Sequence, residues 1–89
     1  MKLCLTEELW QEGEMFVSYC PELDIASCGD TFISAKKNLK EAIEINIEES
    51  KKMGTFEQFL ANCGFDINAN EELSLKKQLL KFERLELAI

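Results

Sequence analysis

The stretch from Thr31 to Gly54 constrains the fold of this 89-residue chain more than any other. Phe32, Ala35, Leu39, Ala42, Ile43 and Ile47 recur at spacings of three and four, which an α-helix gathers onto one side. Lys36, Lys37, Lys40, Glu41, Glu44, Glu48 and Lys51 fall mostly on the other. Thr31 has the chemistry of an N-cap, because its hydroxyl can accept from an orphan amide of the first turn, and Asp30 stands favourably at the positive end of the dipole. Lys51 and Lys52 suit the negative end and Gly54 is a ready C′ residue, so the helix is expected to run from Phe32 to Met53.

Before it, Met15 to Cys20 is rich in β-branched and aromatic residues and reads as a strand. Pro21 lacks a backbone donor and restricts Cys20, which ends that strand; Glu22-Leu23-Asp24 turns the chain into a short strand, Ile25 to Cys28, broken by Gly29-Asp30. Leu3 and Leu5 have period-2 spacing, and Lys2 to Trp10 is taken as the first strand, joined to the second through the polar turn Gln11 to Glu14. The second strand is apolar at both parities: Phe16 and Cys20 on one face, Met15, Val17 and Tyr19 on the other. One helix covers only one face, which leaves the second for a subunit contact or another chain.

Thr55 to Leu60 reads as a short helix capped by Thr55 and closed by Cys63-Gly64, and Asp66 to Glu72 as a loop. Leu73 to Leu80 fits a helical stripe and a broken strand about equally. From Phe82 to Ile89 the alternation of Leu85, Leu87 and Ile89 with Arg84, Glu86 and Ala88 predicts a final strand. The expected fold is therefore α+β: a three-stranded antiparallel sheet, one long helix, a short second helix and a last strand, all in one domain spanning residues 1–89.

Composition excludes several functions. The chain has no histidine, the commonest general base and the usual orienting partner of a Ser or Cys nucleophile, so a hydrolytic triad is not expected. Its four glycines are dispersed and build no phosphate-cradling loop. The four cysteines contain no Cys-x-x-Cys pair and follow no secretory leader, so they are expected to be reduced thiols in a cytoplasmic protein without a metal site. No apolar run is long enough to span a membrane.

Net charge is −7, and residues 1–30 hold seven acids against Lys2 alone. Such a field repels phosphate backbones and draws in basic partners. Lys76, Lys77, Lys81 and Arg84 are matched by Glu71, Glu72, Glu83 and Glu86, so no basic face for nucleic acid is expected either. Glu22, Asp24 and Asp30 are close enough in sequence to be considered as a divalent-metal site of a nuclease, although turn chemistry and helix capping explain them more simply. A domain this small buries a modest share of its surface, so a homo-oligomer, with a dimer as its simplest form, is expected.

Several ordered motifs carry a family resemblance: Gly13-Glu14-Met15-Phe16-Val17-Ser18-Tyr19-Cys20-Pro21-Glu22-Leu23, then Gly29-Asp30-Thr31, then Ala35 and Asn38-Leu39-Lys40-Glu41-Ala42-Ile43. Together, over about half the chain, they resemble the HicB-like antitoxin family. The resemblance implies a partial ribonuclease-H-like fold without catalytic acids. Its partner would be a small basic HicA-type mRNA-cleaving toxin, whose active surface the antitoxin covers. This chain has Asp24-Ile25 where the family commonly has Pro-Gly, and Ile33-Ser34 where it has an acidic pair. The expected function is that of a non-catalytic antitoxin-type module, needing no cofactor and with no C-terminal DNA-binding module. Tyr19, Glu22, Asp24 and Asp30 are its candidate partner contacts. The alternatives are an orphan HicB-like interaction module and a metal-dependent ribonuclease-H-like nuclease.

Overall fold

The computed structural model describes residues 3–67, 73–75 and 80–89. Gly13 determines the first hairpin. With φ at +61° it occupies the first turn position of a two-residue loop, where a side chain would be strained, and Glu12 pairs directly with Met15 across it. The strands so joined are β1 (Glu8–Glu12) and β2 (Met15–Cys20), and β2 pairs on its other edge with β3 (Ile25–Gly29). The sheet is antiparallel throughout, in the order β1-β2-β3.

The first strand is shorter and later than the expected Lys2 to Trp10. Its partner β2 stops at Cys20 before Pro21, so residues preceding Glu7 have no strand to pair with. Leu3 and Leu5 instead pack, partly buried, against the core. The Glu22 carboxylate continues where the ladder ends: it accepts from the Thr6 amide at 2.8 Å and also from the Thr6 hydroxyl.

Helix α1 (Phe32–Lys52) begins in a capping box, Thr31 Oγ1 accepting from the Ser34 amide at 3.0 Å and Ser34 Oγ accepting from the Thr31 amide at 3.0 Å. It ends as its sequence predicts, with Lys51 and Lys52 in the last turn, Met53 as C-cap and Gly54 at φ +70°. Ala35 and Leu39 are buried on its inner side, but Phe32, expected in the same stripe, is half exposed beneath the Lys36 ammonium. Two side-chain hydrogen bonds lock helix to sheet: Ser18 Oγ donates to the Ala35 carbonyl and Asn38 Nδ2 to the Cys28 carbonyl, each at 2.8 Å. Gly29 is closer still, since a Cβ there would stand 2.2 Å from Ser34 Oγ and 2.7 Å from the Ala35 nitrogen.

Helix α2 (Phe56–Asn62) follows, its end marked by Gly64 at φ +89°. Thr55 holds its N-cap position without capping it; the hydroxyl donates back to the Ser50 carbonyl at 3.3 Å. A second small sheet, β4 (Phe65–Ile67) antiparallel to β5 (Leu73–Leu75), corrects the loop expected from Asp66, whose remaining residues 68–72 lie outside those described. Phe65, buried at its start, joins Cys20, Leu23, Leu39 and Leu60 in the core. β5 resolves the ambiguity of Leu73 to Leu75 in favour of strand; residues 76–79 lie outside those described.

The final strand expected over Phe82 to Ile89 is not formed: residues 80–89 belong to no sheet or helix and are exposed. Alternation marks a segment as able to be half buried. A strand also needs to lie beside a sheet edge, and among the described residues no strand is paired with this segment. The architecture is α+β, a three-stranded antiparallel sheet followed by two helices. No helix among the described residues is long and apolar enough to cross a membrane.

Candidate interaction face

The register divides the sheet into two faces. Ser18 and Cys20, wholly buried, lie on the side covered by α1. The other face carries Glu8 opposite Tyr19 opposite Ala26, Trp10 opposite Val17 opposite Cys28, and Glu12 opposite Met15. No described element covers it. Trp10 is 58% exposed, Met15 is partly exposed, Ala26 and Cys28 are exposed, and Val17 and Tyr19 are half buried. An apolar strip therefore runs across the sheet centre with Trp10 as its largest member.

Carboxylates stand at both ends of this strip. At one end the Tyr19 hydroxyl donates to Asp24 Oδ1 at 2.7 Å, and Glu8, across from Tyr19, accepts from Trp10 Nε1 at 3.2 Å. The hydrogen bond to Asp24 raises the Tyr19 pKa above its ordinary 10.0, with desolvation and nearby carboxylate charge adding to it, so the phenol stays neutral under physiological conditions. Asp24 has φ +54°, in the left-handed region where a short polar side chain is better tolerated than most. At the other end are Glu12, paired with Met15, and Asp30, just past Gly29.

The four candidate contacts therefore separate. Tyr19 and Asp24 are joined; Asp30 lies four residues along β3 from Ala26, about 13 Å at strand rise. Glu22 is a structural clasp. Its carboxylate is bound to Thr6, and Cys20 Sγ donates to it at 3.5 Å. Burial acts to raise its pKa, but hydrogen bonds from the Thr6 side chain and amide outweigh that, and the net direction is down. The acids that neighbour one another in sequence are not brought together in space, and among the described residues no group of three or more His, Cys, Asp or Glu could hold a metal ion. All four cysteines are free thiols, and burial pushes the Cys20 and Cys63 thiols up.

Trp10, Glu8 and Glu12 were missed as face residues by the sequence reading, although a signal for them exists. Once the turn is placed at Gly13-Glu14, Glu12 meets Met15 and two residues back Trp10 meets Val17, on the parity that Met15, Val17 and Tyr19 already mark as surplus.

Glu22→Ala removes a charged acceptor that holds the segment before β1, and is expected to cost about 1–2 kcal/mol at neutral pH after allowing for partial solvent exposure. Because the folded-state pKa is depressed, this contribution is present above the unfolded carboxylate pKa and is lost as pH falls through the lower folded value. Urea midpoints of wild type and Glu22→Ala should therefore converge in acid; a gap independent of pH would reject the clasp.

No protein-family model matches the chain, and no curated protein or solved structure matches it either.

Proposed function

We propose that the chain is a non-catalytic antitoxin-type module of a type II toxin–antitoxin system, which binds and neutralises a small basic HicA-type mRNA-cleaving toxin in the cytoplasm. The observation that carries the proposal is the uncovered sheet face, with an apolar strip through Trp10, Val17 and Met15 and carboxylates at either end. Apolar area at the centre of a contact and charge at its rim are what a protein interface requires, the first for affinity and the second for approach and partner choice. The sign of the rim and the net charge of −7 select a basic partner. The β-β-β-α order agrees with the partial ribonuclease-H-like fold that the HicB-like resemblance implies, and that fold is part of the proposal. Tyr19, Asp24 and Asp30 are contact residues in this reading, together with Trp10, Glu8 and Glu12; Glu22 acts by holding the turn behind them.

The test is a pull-down from the native cell with the mass of the complex read by light scattering. A small basic protein recovered in fixed ratio, whose mRNA cleavage stops on addition of this chain, is the expected result. Recovery of the chain alone would remove the toxin reading and leave an orphan interaction module. With the partner in hand, Glu12→Lys combined with Asp24→Lys should slow association about tenfold and flatten its dependence on salt. Unchanged kinetics would sink the electrostatic half of the proposal.

A further inference from the structure

Two apolar features lie away from the exposed sheet face. One is a groove of about 580 Å³ between α1 and the segment leading into β1, floored by Leu3, Leu5, Leu39, Ile43 and Ile47. The other is the C-terminal segment, where Leu85 and Leu87 are 85% and 72% exposed and Ile89 is fully exposed, although the sequence alternates as a strand does. None of residues 80–89 lines the groove.

We propose that the C-terminal segment Leu85 to Ile89 of one copy docks in this groove of a second copy, extending the β1 side of the sheet and closing a twofold, strand-exchanged dimer. Three observations favour this occupant. Length fits: Leu85 to Ile89 and Leu3 to Glu7 are five residues each, about 16 Å at strand rise. Backbone fits: among the described residues β1 pairs only with β2, and the backbone of residues 3–7 is engaged at the Thr6 amide by the Glu22 carboxylate beyond the end of β2 and by no described strand, which leaves its outer side for a strand. Charge fits as well: Lys36, Lys37, Lys40 and Glu44 line the helix side of the groove and Glu7 the opposite side, and Lys40 pairs with Glu44 at 3.9 Å, which leaves Lys36 and Lys37 as the excess positive charge. Glu86 of an incoming segment complements Lys36 and Lys37 at the rim.

Each copy offers both an exposed C-terminal segment and an apolar groove, so a twofold axis satisfies both surfaces twice with one set of contacts. The exchange lies at the β1 edge and below it, on the α1 side of the sheet. It leaves the face carrying Trp10 and Tyr19 open, so dimerisation and partner binding are independent properties.

Light scattering and a complementation experiment test the exchange. Wild type should show about twice the chain mass of 10.2 kDa. Leu85→Glu combined with Leu87→Glu alters only exposed positions and should halve that mass, as should Ile47→Lys in the groove. Mixing these two variants should restore a dimer, because one supplies an intact groove and the other an intact segment. Should Ile47→Lys fail to fold, Lys36→Glu with Lys37→Glu on the exposed helix side takes its place, and Glu86→Lys should rescue it. Three results would overturn the proposal: a dimer unaffected by the C-terminal changes, a mixture that stays monomeric, or a wild-type monomer whose melting temperature falls with Leu85→Glu and Leu87→Glu. The last would mean that the segment docks in its own groove.

Discussion

Gly29→Ala is expected to lower the unfolding free energy by about 3 kcal/mol. The reason is contact distance rather than backbone freedom. A Cβ at residue 29 would sit 2.2 Å from Ser34 Oγ and 2.7 Å from the Ala35 nitrogen. The hydroxyl can swing away, but it then leaves the capping box with Thr31, which costs about 1 kcal/mol. The backbone nitrogen has no such freedom: the first turn of α1 must lift from the end of β3, straining the Ser18 to Ala35 and Asn38 to Cys28 hydrogen bonds and adding overpacking of about 1–3 kcal/mol. Urea unfolding measures the loss directly. Placing Gly29→Ala in a Ser34→Ala background separates the two parts, since the side-chain clash is then absent and only the backbone clash remains. The two changes should be non-additive, with the double variant less destabilised than the sum of the singles. A cost below about 1 kcal/mol for Gly29→Ala alone would mean that the helix does not approach β3 this closely.

That close approach also explains which parts of the fold were legible in the sequence. α1 was legible because its signals agree: Thr31 caps, Ala35 and Leu39 face inward, and Gly54 takes a positive φ. Strand β2 was legible through its apolar run and Pro21, and β3 through Gly29. Signals of pairing are weaker than signals of periodicity. Leu3 and Leu5 have strand spacing, yet no partner strand extends that far, because Pro21 has already turned β2 away and Glu22 takes the Thr6 amide in its place. The same applies to Leu85, Leu87 and Ile89, whose alternation is met by no paired strand among the described residues. Conversely β4 was hidden. Phe65-Asp66-Ile67 is three residues long beside asparagines, too short for periodicity, and its start is held by burial of Phe65 in a core of distant residues.

The candidate contacts show a similar limit. Proximity in sequence grouped Glu22, Asp24 and Asp30, but the four-residue turn between β2 and β3 sends Glu22 toward Thr6 and Asp24 toward Tyr19, while the length of β3 carries Asp30 to the other end of the sheet. Parity was the better guide. It assigned Met15, Val17 and Tyr19 to a face that a single helix leaves uncovered, and the hairpin register adds Trp10 to that face.

Trp10→Ala is therefore expected to weaken capture of a basic protein partner by about a hundredfold, the scale of losing one interfacial hot-spot side chain. Trp10 is the largest side chain on the exposed strip, and tryptophan is disproportionately effective at interfaces because it buries a broad rigid surface while its N–H keeps a polar contact. Its N–H contact to Glu8 is exposed and local, so the folded state loses little: the unfolding free energy from urea titration should change by about 0.5 kcal/mol or less. Phe32→Ala is the matched control, also removing a half-exposed aromatic but from the first turn of α1, where Phe32 lies beneath Lys36. Loss of affinity in Trp10→Ala alone assigns the contact to the sheet face. Equal losses in both would move it to the helix end, and no loss in Trp10→Ala would leave the exposed strip without the role proposed for it.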